Sequence, residues 1–267
     1  MKKYRTIALL GWQDSLVYRF NALVWILYAA LPSLTIMLVW LAAYGANPGA
    51  RIGGLTLAQM MTYYLCVTAF SVAITPNPEW EIAQHIRDGH ITQFIVRPVG
   101  YFGYRVAHET SYQIVKTAMM LPGLAILVWL FRDYIKLPPI DFARLALFFA
   151  SAILSYALLC QIKFLLGISA FWLTEPGGFL EIWNIVAGVF AGRLLPLSML
   201  PFWLRAIGDV LPFSSLYAFP LRLLLEQPAG VEILAGFARQ VVWILVLSFA
   251  VRFAWRRGLL QYEAVGG

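Results

Sequence analysis

Side chains that can do chemistry are sparse in this sequence. His108-Glu109-Thr-Ser-Tyr112 opens like a zinc-protease HExxH helix, but Tyr112 stands where the second histidine ligand would be. Gly167-Ile-Ser169-Ala-Phe171 begins like the strained serine turn of an acyl-transfer enzyme and lacks its closing glycine. There is no GxxxxGK[ST] phosphate loop, so ATP is not bound in that manner. His85 and His90 flank Arg87 and Asp88 and read as solvated surface residues rather than ligands. Cys66 and Cys160 fall in apolar runs without CxxC or metal spacing and read as small packed hydrophobes. No nucleophile, base or metal constellation emerges, which leaves a membrane enzyme a distant reading.

The main charged island is the stretch 75–90, TPNPEWEIAQHIRDGH, running on to Val96-Arg97-Pro98. It reads as one short helix. Asn77 caps its start, and Pro78 suits the first position, where no amide donor is needed. Glu79 and Glu81 lie at the positive end of the helix dipole and Arg87 at the negative end. Gly89 closes the helix in a left-handed conformation, and Ile82 and Ile86 share a face. Such a helix is a handle for a partner in the water; the plainer alternative is a solvated loop helix.

The elements around it are apolar. The chain has 267 residues, 61% hydrophobic and 12% charged, with mean hydropathy +0.74. Soluble domains carry about 25% charged residues, so an all-α polytopic membrane protein is expected, in one domain over 1–267. The net charge of +7 is scattered and forms no stripe, which excludes nucleic acid and fits membrane orientation. Residues 1–20 read as an amphipathic helix in the headgroup region, with a signal peptide as the competing reading. Six spans are expected, at 22–44, 57–74, 114–131, 142–166, 179–195 and 231–255. Lys2, Lys3, Arg5, Arg19, Arg87, Arg97, Arg105, Arg252, Arg256 and Arg257 then lie inside, with both termini, against Arg51, Arg132, Lys136, Arg144, Arg205 and Arg222 outside.

Polar groups in the spans are functional candidates. Lys116, Lys163, Glu181 and Arg193 lie near span ends, where long side chains snorkel, so no proton or ion relay is expected. Gly188-Val-Phe-Ala-Gly192 reads as a GxxxG face for close helix approach, within the chain or across a dimer.

The order of these parts resembles the permease subunits of ABC-2 type transporters. Two motifs narrow it to a small bacterial subfamily long described as a domain of unknown function. One is Ile86-Arg87-Asp88-Gly89-His90 with Phe94-Ile95-Val96-Arg97-Pro98. The other is Gly192-Arg193-Leu-Leu-Pro196-Leu-Ser-Met-Leu-Pro201, followed by Leu211-Pro212-Phe213 and Pro220. The resemblance implies a permease of the bacterial plasma (inner) membrane that pairs with a second permease, identical or related, to form an export pathway. It implies separate ATPase subunits that bind ATP and Mg, with no cofactor in this chain. The region 76–98 would be the coupling region, with Glu79, Trp80, Glu81, Ile82, His85, Ile86, Arg87, Asp88 and Gly89 at the ATPase. The region 1–20 would be the elbow helix, and Gly188 and Gly192 would lie at the permease dimer contact. A self-contained channel or secondary carrier is the alternative, disfavoured by the docking helix and by the lack of paired charges at mid-membrane.

The region 196–228 is rich in proline and aromatics. Proline in a helix interior costs about 3 kcal/mol, so one straight span is not expected there. Short helices dipping back into the outer leaflet are expected instead. Arg193, Pro196, Pro201, Pro212 and Phe213 would form an extracellular gate, with Arg193 at the headgroup level. The alternative is an interfacial loop anchored by its aromatics.

Overall fold

The computed structural model describes residues 22–45, 47, 49–95, 100–226 and 228–262. The expected elbow helix over 1–20 lies outside them, as do Val96, Arg97 and Pro98. The described residues are helical, and their one bridge joins Ile52 and Leu55. In chain order the helices are α1 (Ala22–Tyr44), α2 (Leu57–Ile74), α3 (Glu79–Arg87), α4 (Thr92–Ile95) and α5 (Tyr101–Phe131). Then come α6 (Phe142–Ile168), α7 (Gly177–Phe190), α8 (Phe202–Val210), α9 (Ala218–Leu225) and α10 (Gly230–Gln261).

Local chemistry sets several of these boundaries. Thr56 starts α2 with a reciprocal capping box to Gln59. Asp141 caps α6 through the Arg144 amide at 2.7 Å. Gly89, at φ 77°, closes the chain after α3 as its sequence implies. The start of α3 differs from expectation. Pro78, not Asn77, occupies the N-cap, without a side-chain bond, and the Asn77 backbone N–H donates to the Glu109 carboxylate at 3.0 Å.

Four helical stretches are long and apolar enough to cross a membrane, ending near Arg87, Tyr134, Phe171 and Gln261. Two apolar stretches, Ala30–Tyr44 and Gly177–Phe190, are shorter. The third expected span is longer than read: α5 takes in the whole region from Tyr101 in one run of 31 residues. The fifth is shorter. Helix α7 has 14 residues, about 21 Å at 1.5 Å per residue, against a hydrocarbon core of about 30 Å. It ends at Phe190, where Gly192 turns the chain at φ 82°.

Three apolar clusters hold the bundle. Met37, Trp40, Tyr64 and Leu127 join α1, α2 and α5. Phe70, Leu158, Ile162, Phe213, Leu216, Tyr217 and Leu247 join α2, α6 and α10 to the segment between α8 and α9. Ile82, Ile86, Tyr101, Phe164, Ile168 and Val251 seat α3 on α5, α6 and α10. Outward faces such as Val242, Leu245, Phe249 and Phe253 of α10 are exposed and apolar, as a lipid-facing surface must be.

The region after α7 is broken into short helices, as the prolines require. It also dips inward. The Ser215 carbonyl accepts from Ser155 Oγ at 2.9 Å and from Gln240 Nε2 at 3.0 Å. Ser155 lies about 20 Å along α6 from its start, so the tip reaches the middle of the bundle.

Candidate functional site

Helix α3 lies across the far end of α6. Gly167 of α6 makes this possible: a Cβ there would come within 2.7 Å of the Ile82 Cβ and 3.1 Å of the Glu79 carbonyl. Ile82, Ala83 and Ile86 form the buried face. The acidic first turn is also turned inward. Glu79 is 2% exposed, and its Oε1 accepts from Lys163 Nζ at 2.6 Å. Lys163 donates a second time to Asn184 Oδ1 of α7 at 3.3 Å. Arg105 is 1% exposed and grips Glu81 with both terminal nitrogens, one at 2.7 Å to Oε2. Glu109 lies 3.9 Å from the same guanidinium.

The break between α2 and α3 is satisfied from α5. Pro76 has no N–H, so the Val72 carbonyl has lost its helical partner. Gln113 and Thr117 supply donors to it. Lys116 Nζ donates to the Thr75 carbonyl at 3.0 Å. The Thr75 hydroxyl bonds Tyr217 Oη at 2.7 Å, which ties the break to the dipping tip.

His85 is an internal contact rather than a surface residue. Its Nδ1 lies 2.9 Å from Tyr101 Oη, and its ring stacks on Phe94. Helix α3 lies beyond the proline break, at the polar end of the stretch whose apolar run is α2. Burial there opposes the Glu81 charge, but Arg105 outweighs it and holds the carboxyl below its usual value. Burial pushes the His85 imidazole down, against the pull of Glu81.

The expected coupling residues therefore fall into two sets. Glu79, Ile82, Ile86 and most of His85 are spent inside this chain. Trp80, Arg87 and Asp88 face outward, Trp80 with 44% of its surface exposed, and Gln84, outside the expected set, joins them. Glu81 is exposed but committed to Arg105. The expectation that Lys116 and Lys163 snorkel without partners is corrected, because both are buried and bonded. The general signal is that an intramembrane lysine requires an acid or carbonyl, but the partners, Thr75 for Lys116 and Glu79 for Lys163, lie 41 and 84 residues away.

The helical face expected at Gly188 and Gly192 does not form, because α7 ends between them. A Cβ at Gly188 would meet Leu194 at 3.0 Å, and the Gly192 carbonyl accepts from Tyr63. Arg193 is half-buried beside Tyr217. Pro196, Pro212 and Phe213 are buried, whereas Pro201 is exposed. Phe213 packs on Trp183 and Phe190 of α7.

An all-helical membrane protein with an amphipathic helix between spans is the class these features define. A family model described as ABC-2 family transporter protein matches residues 30–266, and the chain belongs to that family. No curated protein matches it.

Proposed function

We propose that this chain is the permease subunit of an ATP-driven ABC-2 exporter and that α3 couples it to a separate ATPase. The supporting observation is the division of α3 into two faces. One face is locked onto α5 and α6 by Ile82, Ile86 and the Glu79 and Glu81 ion pairs. The other presents Trp80, Gln84, Arg87 and Asp88 to a partner. A helix with no partner has no need of so rigid a seat. In this reading two permeases form the pathway in the bacterial inner membrane, six spans each, with both termini and α3 in the cytoplasm. ATP and Mg are bound by the partner chains. The region 192–225 forms the outer gate of the pathway, its tip held by Ser155 and Gln240.

The buried ion pairs favour a second reading, an ion-coupled carrier, because paired charges inside a bundle mark proton and ion paths. They cluster at the α3 end beside the chain break, which suits a joint better than a path. Photocrosslinkers placed at Gln84 and at Leu137 separate the readings. In cells that express the chain natively, the Gln84 probe should capture an ATPase subunit and the Leu137 probe should not. Equal capture at both positions, or at neither, would overturn the coupling role of α3.

A further inference from the structure

A cavity of about 290 Å³ lies between the first turn of α5 and the far halves of α6 and α10. It is small for a whole drug-sized ligand and sufficient for a headgroup. Tyr101, Phe102, Phe164 and Trp255 form its apolar walls. Tyr101 and Trp255 stack with centroids 5.3 Å apart, an aromatic band of the kind found where hydrocarbon meets water.

Two polar groups break the apolar lining. Gln161 of α6 is 8% exposed and donates from its amide to Ser248 Oγ at 2.8 Å. Its amide oxygen is buried with no hydrogen-bond partner among the described residues, a costly state that a ligand hydroxyl or amine would relieve. Arg252 of α10 also lines the cavity, is exposed, and pairs with no acid among the described residues. One turn before Ser248 and Arg252, Leu245 and Phe249 are exposed and apolar. The acceptor is thus buried between the helices, while the cation and the apolar surface are exposed on α10 outside it.

We infer that this cavity is a site for an anionic phospholipid with a hydroxyl-bearing headgroup. Its phosphate rests on Arg252, a headgroup hydroxyl donates to the Gln161 amide oxygen, and its chains lie along Leu245 and Phe249. Basic pockets between helices at a membrane interface take anionic headgroups by this chemistry. The occupied site would also brace α3, because the wall residue Tyr101 holds His85.

Lipid retention by the purified full chain, read by native mass spectrometry after detergent exchange, tests the site. Phosphatidylglycerol should be retained over phosphatidylcholine by about fivefold or more, the factor one basic residue contributes at an anionic surface. Arg252→Ala, at an exposed position, should abolish that preference. Arg256→Ala, on the same helix outside the cavity lining, should leave it unchanged. Gln161→Leu should narrow the gap between phosphatidylglycerol and phosphatidic acid, which has no headgroup hydroxyl. Equal retention of the two test lipids would overturn the site, as would an Arg256→Ala loss equal to that of Arg252→Ala. Competition by glycerol phosphate at the concentration of the lipid would show a free-anion site instead and reject the lipid.

Discussion

The two halves of α6 hold their neighbours by different chemistry. Its far half holds α3 with ions: Lys163 against Glu79, backed by Arg105 against Glu81. Its near half holds the dipping segment with neutral groups. Gln240 reaches Ser151, Ser155 and the Ser215 carbonyl, and Ser155 reaches the same carbonyl. A buried ion pair has one good arrangement, because either partner alone is costly. A cluster of hydroxyls and one amide can exchange partners at about the cost of a single hydrogen bond. The α3 end is therefore built as a stiff joint, and the dipping tip as a part that can rearrange. The Thr75–Tyr217 bond is the direct polar link between them.

The largest expected effect comes from cutting the joint. Glu79→Ala leaves Lys163 buried and unpaired, and should cost about 3–5 kcal/mol in unfolding of the detergent-solubilised protein. Replacing both Glu79 and Lys163 by methionine should recover most of that loss, because an apolar pair of similar volume avoids the desolvation penalty. A single variant as stable as the parent would remove the distinction between joint and tip.

Gln240→Leu should cost less, about 1–3 kcal/mol, the range for leaving buried partners unsatisfied. Its effect should be local. A cysteine at Ser214, next to the released Ser215 carbonyl, should react faster with a membrane-impermeant thiol reagent in the Gln240→Leu background. An unchanged rate would show that the tip is as fixed as α3.

The legible parts of this fold were those written in apolar length and in helix punctuation. Runs of apolar residues placed α2, α6 and α10 closely, and Gly89 marked the end of α3. The prolines at 196, 201, 212 and 220 announced broken helices. What could not be read was partnership at long range. Lys163 and Glu79 are 84 residues apart, and nothing local in either run names the other. Asn77 looks like a cap, yet its backbone N–H is held by Glu109 of a different helix and α3 starts one residue later, after Pro78. The spacing of Gly188 and Gly192 promised a helical face, but spacing does not reveal that the helix stops at Phe190 and that Leu194 folds back to fill the gap.

The smallest effect on stability should come from the outward face of α3, and it sharpens the comparison most. Trp80 and Arg87 are exposed, and Arg87 has no ion-pair partner among the described residues. Trp80→Ala with Arg87→Glu should therefore shift unfolding by no more than about 0.5 kcal/mol per substitution, the usual range for surface sites. If this face is the ATPase contact, the double variant should insert and fold like the parent and yet lose most copurifying ATPase activity. Residues at the centre of an interface, tryptophan and arginine above all, carry a disproportionate share of its energy. Glu79→Ala should show the opposite profile, with a large loss of stability and ATPase binding retained at temperatures where the chain stays folded. If both variants instead lose stability and partner together, the two faces of α3 are not separable, and the division of labour between seat and handle fails.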